Sequence, residues 1–166
     1  MCLPNVNMTI SLFKNVKDAE NIKNFSMPFD TIVAKTENDK KYIDNFFIVL
    51  NVNLLASNNQ TKKEENIVNQ KGKMDILIRL AKVSSNEDKQ VFMNLGKLEL
   101  DLSDKSNVIS HACVDYLTYR AILDIPKIVL SPIGGLGEYV IKALVKSSIS
   151  SDDVYIVQSL APLRIE

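Results

Sequence analysis

Two short constellations are the places where this chain could carry chemistry. The first is the run Gly134-Gly135-Leu136-Gly137, preceded by the apolar residues 128–130 and followed by Glu138 and Tyr139. A strand over 127–130, glycines, a helix over 138–147 and a second strand at Val154 would reproduce the βαβ order of a dinucleotide site. There, Gly134, Gly135 and Gly137 would let backbone N–H groups approach a pyrophosphate at a helix N-terminus. Three features oppose this. Val140 stands where a third glycine would permit close helix–strand packing, and Glu138 places a negative charge beside the phosphates. The acidic pair Asp152 and Asp153 precedes the second strand, whereas a ribose-binding carboxylate belongs at its end. The competing reading is a loop entering a strand. Tyr139, Ile141, Ala143 and Val145 alternate with Val140, Lys142, Leu144 and Lys146, which leaves both lysines on the wet side.

The second constellation is His111, Cys113 and Asp115, which would project from one face of a strand. Structural zinc takes four ligands in a tetrahedron, and three neighbours on one short strand form a poor cage. His111 is the only histidine, so no second imidazole can complete a site. No Gly-x-Ser-x-Gly turn exposes a nucleophile. The carboxylate pairs Glu64-Glu65 and Asp152-Asp153 lie on polar turns, where carboxylates are solvated, whereas acid–base catalysis needs them in a pocket. The pairs Lys40-Lys41 and Lys62-Lys63 lie close to acidic residues and read as wet surface. The sequence therefore offers no catalytic, cofactor-binding or metal-ligating set, and Gly134, Gly135 and Gly137 remain as a candidate ligand loop.

The elements that would hold these residues are strands. Met8, Ile10 and Leu12 alternate with Thr9, Ser11 and Phe13. Ile48, Leu50, Val52 and Leu54 alternate with residues that include Asn51 and Asn53, a half-buried strand with asparagine on its solvated face. Met74, Ile76, Ile78 and Leu80 repeat the pattern. After the turn cluster at 84–88, Val91, Met93 and Leu95 are followed by Leu98, Leu100 and Leu102. The inward parity switches across Gly96-Lys97, as a β-bulge would require, so 74–82 and 90–102 are expected to form an antiparallel pair. Residues 14–23 have room for one or two exposed helical turns, and 36–45 read as a connector or short helix. Residues 107–125 fit either a strand or a helix, with β-branched and aromatic content favouring strand. Short strands are expected at 127–130, at 154–157 and, around Pro162, at 161–165. The polar segment 57–73, holding only Ile67 and Val68 as large apolar residues, reads as a mobile loop.

These elements add up to one mainly β domain over residues 1–166, an antiparallel β-sandwich with room for short helices. Residues 126–130, 137–141 and 161–165 resemble small bacterial β-sandwich proteins of the immunoglobulin-like or C2-like kind, and this resemblance implies a fold and no activity. The Cys…Trp…Cys pattern of true immunoglobulin domains is missing, as the chain has no Trp. Twenty basic and twenty acidic residues cancel to zero, and only Arg79, Arg120 and Arg164 are arginines, which argues against nucleic acid as a partner. No apolar run approaches the roughly 20 residues of a membrane helix. Cys2 and Cys113 make a poor disulfide framework, and with no visible signal peptide a reducing cytoplasm is expected. The Lys, Asn and Ile usage suggests a bacterial or phage source. The leading expectation is a non-enzymatic module that binds an unidentified protein partner through sheet edges and the 57–73 loop, with a homodimer as one form of that contact. The alternatives are a nucleotide-binding enzyme using the 134–137 loop, and a structural oligomer component of a phage or secretion assembly.

Overall fold

The computed structural model describes residues 6–15, 29–55, 73–86, 90–101, 108–110, 116–146 and 155–166. The expected mainly β fold is what forms. The strands in chain order are β1 (Val6–Phe13), β2 (Thr31–Ile32), β3 (Lys35–Glu37), β4 (Lys40–Ile43), β5 (Phe46–Leu55) and β6 (Lys73–Lys82). They continue with β7 (Phe92–Asp101), β8 (Val108–Ser110), β9 (Tyr116–Ile125), β10 (Ile128–Val129), β11 (Gly137–Lys146) and β12 (Tyr155–Ile165). Among the described residues the only helical turn is a 3-10 turn at Ser131–Ile133.

Two sheets enclose the core. One has the order β1-β5-β9-β8 and the other β2-β12-β11-β6-β7, while β10-β4-β3 form a small third sheet. All pairings are antiparallel except β2 with β12. Period-two patterning decides which side chains meet. Met8 and Leu12 of β1 and Ile48, Leu50 and Val52 of β5 share one buried cluster with Met74, Ile76, Ile78 and Leu80 of β6. Tyr139, Ile141, Ala143 and Val145 of β11 and Leu163 and Ile165 of β12 complete it. Each fully buried side chain of this size contributes roughly 1.5–3 kcal/mol relative to exposure.

The β6–β7 pair forms as the alternation requires, with the bulge beside Gly96. Ile78 pairs with Gly96 and Arg79 with Asn94, so Leu95 is the extra residue. The kink restores the inward set, and Met93, Leu95, Leu98 and Leu100 all pack against the core. A Cβ on Gly96 would lie 3.5 Å from Leu123, an ordinary contact, so this glycine is not required by sterics. Val91, expected to point inward, is exposed because it precedes the strand.

Several expectations need correction. Residues 36–45 contain the hairpin β3–β4 in place of a connector or helix, turning on Asn38 and Asp39 at φ 49° and 62°. Asn and Asp tolerate this left-handed region, so Asn38-Asp39 supplies the primed turn a two-residue hairpin favours. By contrast, residues 108–110 and 116–125 are paired strands, the reading that their β-branched and aromatic content favours, while 111–115 lie outside the described residues. The two short strands expected near the C-terminus are one strand, β12, with a register shift opposite Ala143/Leu144. Pro162 is accommodated because it needs a neighbour on one side only. β12 pairs with β11 at Val140, and β2 reaches only Arg164 and Ile165. Residues 29–34 tie the two sheets together. Phe29 N–H donates to the Leu12 carbonyl at 3.0 Å, and Arg164 N–H donates to the Asp30 carbonyl at 2.7 Å.

Candidate functional site

The glycine run sits where the chain leaves the small sheet and enters β11. Glycine is needed there for conformation, since Gly134, Gly135 and Gly137 adopt φ of 100°, 74° and 136°. The amides of this loop are directed back into the chain. Ile133 N–H and Gly135 N–H both donate to the Leu130 carbonyl, at 3.1 and 2.9 Å. The carbonyls point instead toward a cation supplied by the protein itself. Lys82, at the end of β6, extends its ammonium to the carbonyls of Gly134 and Leu136, the latter at 2.9 Å. The phenol of Tyr139 shares its single O–H between the carbonyls of Ile133, at 3.2 Å, and Gly135. The Lys82 ammonium also lies 5.7 Å from the Tyr139 ring centroid, and burial pushes the Tyr139 phenol above its ordinary pKa.

This geometry differs from a phosphate cradle in two ways. A cradle presents N–H groups to its ligand and a helix N-terminus behind them. Here Gly137 opens strand β11, so no helix follows the glycines, and the inward-facing loop atoms are oxygens already receiving Lys82 and Tyr139. The structure thus places Gly134 and Gly137 against Lys82 and the Gly135 carbonyl against Tyr139. A network continues outward from it: the Gln90 amide donates to the Lys82 carbonyl at 3.2 Å, and Lys142 Nζ donates to Gln90 Oε1 at 3.0 Å. His111, Cys113, Asp115, the carboxylate pairs 64–65 and 152–153, and residues 57–72 of the proposed loop lie outside the described residues. Among the described residues no group of three His, Cys, Asp or Glu converges in a metal-ligating arrangement.

A second feature was not singled out in the sequence. The outward face of β12 carries Val157, Leu160, Pro162 and Arg164, and that of β11 carries Glu138, Val140 and Lys142, with Leu144 on the same side but buried at 6% exposure. Direct cross-strand partners are Glu138–Arg164, Val140–Pro162, Lys142–Leu160 and Leu144–Val157. Leu160 is 59% exposed and Val157 37%. Both lie on the strand that borders the sheet, because β2 reaches only Arg164 and Ile165. The signal in the sequence was the absence of any charged residue from Tyr155 to Leu163, which sandwich patterning alone does not explain. The opposite border differs. β7 carries the bulge and Lys97, Glu99 and Asp101, devices that discourage strand pairing.

No family model matches the chain, and no curated protein matches it. Among solved structures, the CooA pilin subunit from enterotoxigenic Escherichia coli aligns over 98% of this chain and 99% of its own, at 11% identity and a TM-score of 0.37. A β-glucosidase from Kluyveromyces marxianus aligns over 96% of this chain and 14% of its own, at 14% identity and a TM-score of 0.35. Neither likeness carries an argument about function at these values.

Proposed function

We propose that the protein is a non-enzymatic, protein-binding module with an immunoglobulin-like sandwich, and that it engages its partner on the outward face of β11 and β12. The observation that carries this reading is the exposed aliphatic strip of Val157 and Leu160 on a border strand that carries no charge from Tyr155 to Leu163. Exposed aliphatic side chains that adjoin on one face mark contact surfaces, whereas scattered ones do not.

The strand order supports the immunoglobulin-like part. With β1, β5, β6, β7, β8, β9, β11 and β12 as strands A, B, C, C′, D, E, F and G, the two sheets read A-B-E-D and G-F-C-C′, and β2 adds to G. Tyr139 supports it as well. Near the start of the F strand it hydrogen-bonds carbonyls four and six residues upstream, the arrangement of a tyrosine corner. The position two residues later, where antibody domains place a cysteine, holds the fully buried Ile141. Hydrophobic packing occupies the site of the inter-sheet disulfide.

The test is affinity capture from the source organism with wild-type protein and with Leu160→Glu as bait, followed by identification of the bound proteins. A defined partner held by wild type and lost with Leu160→Glu, at an unchanged melting temperature, supports the proposal. Retention of every captured protein by Leu160→Glu overturns this surface as the binding site.

A further inference from the structure

The outward face of β11 and β12 has a property that a general binding surface need not have: it is complementary to itself. Its cross-strand neighbours are matched pairs, with Glu138 beside Arg164, Val140 beside Pro162, and the Lys142 stem beside Leu160. Consider a second copy laid face to face on this surface, with a two-fold axis parallel to the strands and running between β11 and β12. That operation exchanges the two columns and keeps every row. Each β11 residue then meets the β12 residue that is already its neighbour within the sheet. Glu138 faces the second copy's Arg164, and Val140 faces its Pro162.

Charge and exposure fit this arrangement over the three rows from Glu138–Arg164 to Lys142–Leu160, whereas in the fourth row, Leu144–Val157, Leu144 is already buried within the chain. Glu138 and Arg164 are both about 60% exposed and sit 3.5 Å apart, so each retains capacity for a second ion pair. A four-membered Glu–Arg–Glu–Arg arrangement would then form at one end of the contact. The Lys142 ammonium is drawn aside by Gln90 Oε1, which leaves its methylene stem to cover the apolar Leu160 of the other copy. A formal net charge of zero adds no long-range repulsion between copies.

We propose that this chain forms a two-fold symmetric homodimer through the outward faces of β11 and β12, with Leu160 near its centre and the Glu138–Arg164 pairs at its rim. The proposal rests on the binding surface assigned above and names its occupant as a second copy of this chain. An isologous contact of this kind pairs residue i with j and j with i, which makes a charge-reversal series decisive.

The experiment is sedimentation equilibrium of the full chain over a wide concentration range, with melting temperatures as the folding control. Wild type should self-associate as a dimer. Leu160→Glu should be monomeric, and Glu138→Arg should weaken the dimer by about tenfold or more by setting Arg against Arg. Glu138→Arg combined with Arg164→Glu should restore association, which a nonspecific contact would not do. A monomeric wild type at all concentrations, or dimerisation that ignores Leu160→Glu, overturns the homodimer. The capture experiment above then separates the two ideas. If wild type is monomeric but captures a partner through Leu160, the surface assignment stands and its occupant is a different protein. If Leu160→Glu affects neither association nor capture, both fail.

Discussion

At the scale of single residues, Lys82 and Tyr139 account for where the carbonyls of the glycine-rich stretch find their hydrogen-bond donors. Four carbonyls of the loop, those of Ile133, Gly134, Gly135 and Leu136, receive their donors from these two side chains. Replacing Lys82 by Met leaves two solvent-exposed carbonyls to water and should cost no more than about 1 kcal/mol, read as a slightly lower midpoint in chemical denaturation. The glycines should respond unequally. A Cβ at Gly134 would lie 2.9 Å from Lys82 Cδ at φ 100°, whereas one at Gly135 would meet nothing within 4 Å. Gly134→Ala should therefore be clearly more destabilising than Gly135→Ala, which bears only the backbone cost of its left-handed conformation. Equal losses would show that the lysine contact is unimportant. Tyr139 also sets a pH response. Its folded pKa is raised above 10.0 by burial, so its stability contribution is complete below pH 10 and is lost as pH rises through the folded value. Tyr139→Phe should lower stability at neutral pH yet flatten its decline above pH 10, measured by thermal melts across that range.

At the scale of elements, what could be read from the sequence divides by physical cause. Strands with one buried face were legible. Ile48, Leu50 and Val52 in β5, Met74 to Leu80 in β6, and Met8 to Leu12 in β1 announce themselves by alternation. The inner face is apolar throughout, whereas the outer face mixes polar residues such as Asn51 and Arg79 with buried apolar ones such as Val49 and Leu77. The parity switch at Gly96 was legible for the same reason. The hairpin β3–β4 was not, since all of β3 and the first half of β4 are exposed and carry no inward pattern. Its only signal was the turn pair Asn38-Asp39. That pair yields a test: Asp39→Gly relieves a side chain held at φ 62° and should leave stability unchanged or raise it by up to about 1 kcal/mol. Asp39→Val should weaken the hairpin, because a β-branched residue resists positive φ. Identical melting temperatures for the two variants would mean that the turn does not constrain the domain. The candidate surface on β11 and β12 was only half legible. The lysines at 142 and 146 were expected on the wet side, but the register that places Leu160 opposite Lys142 depends on the shift beside Gln158, and no local pattern in the sequence marks that shift.

At the scale of the whole molecule, the question is what holds the sandwich closed, the ion pairs on its surface or the core between its sheets. The pairs are numerous and short: Lys127–Glu37 at 2.7 Å, Lys73–Glu99 at 2.5 Å, and Lys35 with Asp44. The nearby carboxylates hold Lys35, Lys73 and Lys127 above their ordinary 10.5, each through a hydrogen bond first; charge comes next for Lys35 and Lys73, whereas for Lys127 desolvation opposes the rise ahead of the charge of Glu37. Lys127 in turn holds Glu37 below its ordinary 4.5. The sign of each shift fixes its window. The lysine contributions are complete below pH 10.5 and fade as pH rises through the raised values, and that of Glu37 is complete above pH 4.5 and fades as pH falls below it. Between those limits the pairs are constant. All of these groups are solvated, however, so salt screens them and side-chain entropy opposes them. The core has no such weakness. Ile78 is fully buried at the centre of β6, between β11 on one side and the bulge of β7 on the other. Truncating it removes apolar burial and leaves a cavity that neighbours on two strands cannot readily fill, a loss of about 2–5 kcal/mol. For a chain of this size that corresponds to a melting temperature lowered by on the order of 10 °C. Ile78→Ala should therefore show a large drop at pH 7, while the combined Lys73→Met and Lys127→Met variant, or 1 M salt on the wild type, should leave the melt nearly unchanged. If the double lysine variant instead fell as far as Ile78→Ala, the surface pairs would be holding the sheets together, and the packing account of this fold would have to be abandoned.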